Sequence, residues 1–116
     1  MSDLPGTELT PEAVRARLKP VLEQYGIRKA ILFGSVARGD ASQRSDVDLV
    51  LVQQTDKRFF DRYDGLLAEL NRALPGHGVE ALIYTPEELD AIKERPFIAQ
   101  ILAEGIVIHE PLQATA

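Results

Sequence analysis

Apolar residues recur at Val14, Leu18, Val21, Leu22 and Tyr25, at spacings of four, three, one and three. That is one stripe of an amphipathic helix. Thr10 is a fitting N-cap, Pro11 a fitting first helical residue, and Gly26 the expected stop. Ile27 to Phe33 then reads as a strand, ending in the apolar run Ala30-Ile31-Leu32-Phe33. Gly34-Ser35 breaks it, a short helical turn over Val36 to Arg38 follows, and Gly39 to Ser45 is polar and loop-like. Val47 to Val52 is a second strand. It is apolar on both faces, so it is expected at the centre of a sheet covered on both sides.

The spacing of Phe60, Tyr63, Leu67, Leu70 and Leu74 predicts one helix from about Arg58 to Leu74, with Phe60 on its core stripe. Phe59, off that stripe, is free to serve as an exposed partner anchor. Pro75-Gly76-His77-Gly78 is a turn and Val79 to Tyr84 a third strand. Thr85-Pro86-Glu87-Glu88 carries a capping box, so a helix starts there. It stops near Arg95, because Pro96 restricts the residue before it. A second short helix carries Phe97, Ile101 and Leu102 and ends at Gly105, before a last strand from Ile106 to His109. Strands alternating with helices predict an α/β (α+β) fold, a small sheet flanked by helices. The connection between the first two strands is too short for a helical crossover, so the sheet is expected to be mixed.

The chain has 116 residues, which suits one domain. The expected division is a tail over 1–9, a domain over 10–110 and a tail over 111–116. The net charge of −5 argues against unaided nucleic-acid binding and against anionic membrane surfaces. With no cysteine, disulfides, thiolate metal sites and a cysteine nucleophile are excluded. Residues 1–10 have neither the basic start nor the apolar run of a signal peptide, so a cytoplasmic location is expected.

The chemistry gathers in Phe33-Gly34-Ser35-Val36-Ala37-Arg38-Gly39 and Ser45-Asp46-Val47-Asp48-Leu49. Asp46 and Asp48 open a strand two residues apart, so both side chains point to one face, roughly 7 Å apart at the backbone. Two such acids repel unless a cation sits between them, and hard oxygen ligands suit Mg²⁺. Gly34 lets the backbone approach a ligand closely, and Ser35 with the amides after it can hold phosphate oxygens. Arg38 and Arg44 can neutralise phosphate charge. A phosphate cradle ahead of an acid pair suits phosphoryl or nucleotidyl transfer with two metals. A third acid is then expected. Glu80 is the candidate, a charge in an otherwise apolar strand that should face the cleft near Asp46 and Asp48.

Gly34-Ser35, ten intervening residues and Asp46-Val47-Asp48 resemble the signature of the DNA polymerase beta nucleotidyltransferase superfamily, most of all its minimal nucleotidyltransferase (MNT) branch. Ala37-Arg38-Gly39 and the ending Ile101-Leu102-Ala103-Glu104-Gly105 before a last strand fit that branch too. The resemblance spans about residues 13 to 109. It implies a nucleotidyltransferase fold, a two-metal Mg²⁺ site on Asp46, Asp48 and Glu80, and ATP or another nucleoside triphosphate held by Gly34 and Ser35. Glu80 stands where the family more often has Asp. Its extra methylene moves the carboxylate by roughly 1.5 Å, and misplacement near 1 Å can cost about 10²-fold in rate. MNT proteins of this size resemble the antitoxin of a pair whose other half is a helical HEPN ribonuclease, and such an antitoxin transfers AMP to a toxin tyrosine. The alternatives are an antitoxin that only binds its partner, and a small-molecule nucleotidyltransferase completed by a homo-oligomer. His77 and His109 have no second ligand nearby in sequence and receive no role, and Tyr63 and Tyr84 read as packing residues.

Overall fold

A computed structural model of the chain describes residues 9–39 and 46–111. Helix α1 (Pro11–Gln24) begins where the Thr10 hydroxyl accepts the Ala13 amide N–H at 3.1 Å. Its stripe of Val14, Leu18 and Leu22 is fully buried. Leu9, on the edge of the expected tail, also packs against that core. Residues 1–8 and 112–116 of the two expected tails lie outside the described residues.

Strands β1 (Ile27–Phe33), β2 (Val47–Gln53), β3 (Val79–Tyr84) and β4 (Ile106–His109) form one sheet in the order β3-β2-β1-β4. β1 runs antiparallel to β2 and to β4, whereas β2 and β3 are parallel. The sheet is therefore mixed, and β2 is internal as its two-sided apolar pattern requires. Val47, Leu49 and Leu51 face the larger core with Ala30, Leu32 and the α1 stripe. Val50 and Ile31 face the other way, into a smaller cluster with Ile98 and Ile101. Two helices, α4 (Pro86–Ile92) and α5 (Pro96–Glu104), cover that second face. α4 is anchored by the expected capping box: the Thr85 hydroxyl accepts the Glu88 N–H at 3.1 Å, and the Glu88 carboxylate accepts the Thr85 N–H at 3.0 Å. It ends at Ile92, three residues before the expected stop. The single turn α2 (Ser35–Arg38) follows β1.

The expected helix from Arg58 to Leu74 is two elements. A 3₁₀ helix (Phe59–Tyr63) is followed by Gly65 at φ 77°, and helix α3 (Leu66–Ala73) starts anew. The break shifts the buried face to Leu66, Leu70 and Leu74. It also reverses the two phenylalanines. Phe60, expected in the core, is 83% exposed. Phe59, expected to be exposed, packs edge-on against Tyr63 with ring centres 5.5 Å apart and lies under the Arg62 guanidinium. A 3₁₀ helix repeats every three residues rather than 3.6, so a stripe counted at α spacing lands on the wrong side.

The 3₁₀ segment covers the outer edge of β3, the strand that carries Glu80. The Tyr63 hydroxyl accepts the Ile83 N–H at 3.3 Å, and Arg62 Nη1 donates to the Ile83 carbonyl at 3.2 Å. The Asn71 side chain accepts the Val79 N–H at 3.0 Å. These bonds occupy main-chain groups that an edge strand otherwise leaves open to pairing. Arg62 is itself buried and grips the Glu88 carboxylate in a fork, at 2.6 and 2.9 Å.

Arg62 first, and then the Thr85 N–H, hold the Glu88 carboxyl down from its ordinary 4.5 to about 2. A lowered acid stabilises the fold above the unfolded pKa and loses that contribution as pH falls through the folded one. The contribution is thus complete above about pH 4.5 and fades towards pH 2. Melting curves of wild type and Glu88→Gln are expected to differ most at neutral pH and to converge between pH 4.5 and 2. A gap that stays constant through that window would contradict the assignment.

Candidate active site

Asp46 immediately precedes β2 and Asp48 is its second residue. The ladder sets Asp48 between Phe33 of β1 and Glu80 of β3. Adjacent strands lie about 4.8 Å apart, and paired residues share a face. Glu80 and Asp48 therefore stand side by side on the face that α4 and α5 cover further along. Asp46 and Glu80 are exposed, and Asp48 is half-buried. Burial first, then the charges of Glu80 and Asp46, push the Asp48 carboxyl above the ordinary range, while Arg38 pulls it down. The charges of Glu80, Asp46 and, from α2, Arg38 thus all act on Asp48.

Two glycines make room for the aspartates. Gly34 has φ 84°, a left-handed conformation that a side chain resists. A Cβ there would stand 2.5 Å from Asp48 Oδ2. The close approach expected of Gly34 is thus first to a carboxylate of the site itself. Gly78 has no such backbone requirement, but a Cβ on it would meet Asp46 Oδ1 at 2.9 Å. Its carbonyl accepts the Val47 N–H at 2.8 Å, tying the turn before β3 to the start of β2. Sequence reading placed Gly78 in a turn and gave it no part in the site. Its place two residues before Glu80 was the available signal.

Gly34→Ala separates the two demands on this glycine. Gly39 has nearly the same φ, 83°, but nothing lies within 4 Å of its Cβ position. Gly39→Ala is expected to lose about 1–2 kcal/mol of stability for its left-handed αL backbone, and Gly34→Ala more, because φ 84° with ψ −156° is a region that essentially only glycine occupies and its Cβ would also meet Asp48 Oδ2. For the Mg-ATP site that the sequence leads us to expect, Gly34→Ala is expected to weaken binding at least tenfold more than Gly39→Ala, because only it displaces Asp48. Thermal melts with calorimetry check this, and equal losses of affinity in the two variants would refute it.

Ser35 opens α2, half-buried, directly after Gly34. Arg44 and Ser45 lie outside the described residues, as does Asp40, so the structure does not bear on them. Asp46 and Asp48, with Glu80 beside them, are a hard-oxygen donor set whose mutual repulsion a cation relieves. Among the described residues no three acids or histidines close into a single metal shell. Mg²⁺ is commonly held by one or two carboxylates, with water and substrate phosphate completing its octahedron, and the aspartate pair fits that need.

Residues 16–113 match the family described as "Polymerase beta, Nucleotidyltransferase". The chain belongs to the polymerase beta nucleotidyltransferase family. The family match and the shared layout agree with the resemblance to its MNT branch. Two relatives from Methanocaldococcus jannaschii are similar to this nucleotidyltransferase. One, named "Putative protein adenylyltransferase MJ0604", is 32% identical over 85 residues, covering 72% of this chain and 79% of its own length. The other, MJ0435, has the same name and is 31% identical over 71 residues, covering 61% and 74%. A crystal structure of a toxin–antitoxin with AMP-PNP shares the fold, with a TM-score of 0.61 and 17% identity. The match covers 84% of this chain and 73% of that one. Among the described residues no helix is long and apolar enough to cross a membrane.

A cavity of about 490 Å³ opens beside the acids, lined by Asp48, Glu80, Ala81, Leu82, Phe33 and Phe97 among others. The sequence puts Phe97 on the short helix α5 with Ile101 and Leu102, without saying which of them is buried. Ile98 and Ile101 fill the core, and Phe97 is 57% exposed at the mouth of the site.

Proposed function

We propose that this nucleotidyltransferase binds ATP with Mg²⁺ and transfers AMP to a tyrosine hydroxyl of a helical HEPN-type toxin, acting as the antitoxin of a cytoplasmic pair. The observation that carries the reading is the row of Asp46, Asp48 and Glu80 on one sheet face, set against the Gly34–Ser35 turn. The names of the two relatives support a protein acceptor, and the description of the toxin–antitoxin structure supports a toxin as that protein; the tyrosine and the HEPN class come from the family resemblance.

Asp46 and Asp48 would hold Mg²⁺, with Glu80 completing the acidic face. The bound metal supplies charge stabilisation to the attacking and leaving oxygens. Gly34 and Ser35 hold the triphosphate tail, and Arg38 offsets its charge. Arg44 is assigned the same role by its place in the sequence. The acceptor oxygen forms a bond to the α-phosphorus as the bond to the β-phosphate oxygen breaks, and pyrophosphate leaves. Glu80 takes the acceptor's proton as general base. In this reading the partner brings the acceptor.

The test incubates the chain and its helical partner with ATP labelled at the α-phosphate. Label is expected on a partner tyrosine and absent when that tyrosine is Phe. Neutralisation of the partner that persists in Asp46→Asn/Asp48→Asn, without label, would replace this reading with a purely binding antitoxin.

A further inference from the structure

The structure carries two aromatic rings at its chemical site that the transfer mechanism does not use, Phe33 and Phe97, and Phe97 is the more open of them. Phe97 stands at the start of α5, directly after the first helical residue, Pro96. Its ring meets Phe33 edge to face, with centres 6.1 Å apart and planes at 84°. Phe33 is the last residue of β1 and the ladder partner of Asp48. The pair thus fixes the Phe97 ring without covering it, and most of its surface stays open. The same ring lines the cavity that Asp48 and Glu80 border. That cavity, about 490 Å³, falls within the roughly 300–1,000 Å³ of small-ligand clefts.

We propose that Phe97 is the stacking platform for the nucleobase of the bound nucleotide. The inference rests on the nucleotide reading above and extends it from the phosphates to the base. Asp48 and Glu80 occupy the acidic end of the cavity, where phosphate and metal belong. Its other walls are Phe33, Ala81, Leu82 and Phe97, which offer apolar surface and no side-chain donor or acceptor. A base lying there is held by its π face rather than read along its hydrogen-bonding edge. Stacking of this kind tolerates any base and strengthens with ring size. The site therefore prefers purine over pyrimidine nucleoside triphosphates and discriminates little between adenine and guanine. Phe60, the other strongly exposed ring, lines a separate hollow with Lys57 and Asp61 and has no part in this.

Calorimetric titration with Mg-ATP, Mg-GTP, Mg-CTP and Mg-tripolyphosphate tests the inference. Tripolyphosphate has the phosphates and no base. For wild type, ATP and GTP are expected to bind within about threefold of each other, and both more tightly than CTP and tripolyphosphate. Phe97→Ala is expected to weaken ATP about tenfold or more while leaving tripolyphosphate affinity unchanged, and Phe97→Trp to restore ATP. ATP binding to Phe97→Ala as to wild type would overturn the platform and leave the nucleotide reading intact. Wild type that binds neither ATP nor tripolyphosphate would overturn both.

Discussion

Asp48→Asn is expected to abolish nucleotidyl transfer and to leave the fold at least as stable as wild type. The loss follows from the position of Asp48 between Phe33 and Glu80, with its carboxylate against Gly34. A metal ligand stabilises transition-state charge by several kcal/mol, and at tenfold per roughly 1.4 kcal/mol the loss is about 10³-fold. The stability has a separate cause. Burial and the charges of Glu80 and Asp46 all disfavour the ionised Asp48 in the metal-free chain, and among the described residues Arg38 favours it. Asn keeps the shape and removes the charge, so the strain among the acids falls. Thermal melting without Mg²⁺ should show an unchanged or raised Tm. Added Mg²⁺ should raise the Tm of wild type and not that of the variant. A variant with full transfer, or one with a lowered metal-free Tm, would contradict this assignment.

Arg62→Ala is expected to destabilise the chain by about 2–3 kcal/mol, or roughly 10 °C in Tm. The guanidinium is buried and donates to the Lys57 and Ile83 carbonyls as well as to Glu88. Truncation strips those carbonyls of a partner, and burying an unpaired carbonyl costs free energy. Glu88 is half-exposed and can return to water, which keeps the loss below that of a fully buried broken pair. The damage should also be local. Arg62 and Tyr63 hold the outer edge of β3 at Ile83, three residues from Glu80. Amide exchange of β3 should accelerate more than that of β1 and β2. Uniform acceleration across the sheet would show that Arg62 supports the whole core rather than this edge.

Most of the fold was legible because its elements have clear local signals. Thr10-Pro11, the Thr85 capping box and Pro96 mark three helix starts, and the two-sided apolar run of β2 marks an internal strand. The acids were legible because charge at the mouth of an apolar strand has few structural uses. The stretch from Arg58 to Leu74 misled because its apolar spacing is compatible with a continuous α-helix, and Gly65 alone carried the break. Arg62 was missed for a related reason. An arginine on an apparent helix reads as solvated, and its three partners come from Lys57, Ile83 and Glu88, which only the tertiary structure brings together. The role of Gly78 against Asp46 and the exposure of Phe97 likewise depend on neighbours distant in sequence.

The central claim is that Asp46 and Asp48 form a metal-dependent triphosphate site beside the Gly34–Ser35 turn. Calorimetric titration of the purified chain with ATP, with and without Mg²⁺, tests it most directly, with Asp46→Asn/Asp48→Asn as the paired variant. The account predicts saturable binding by wild type that weakens at least tenfold when either Mg²⁺ or the two carboxylates are removed. ATP binding that is indifferent to both would contradict it.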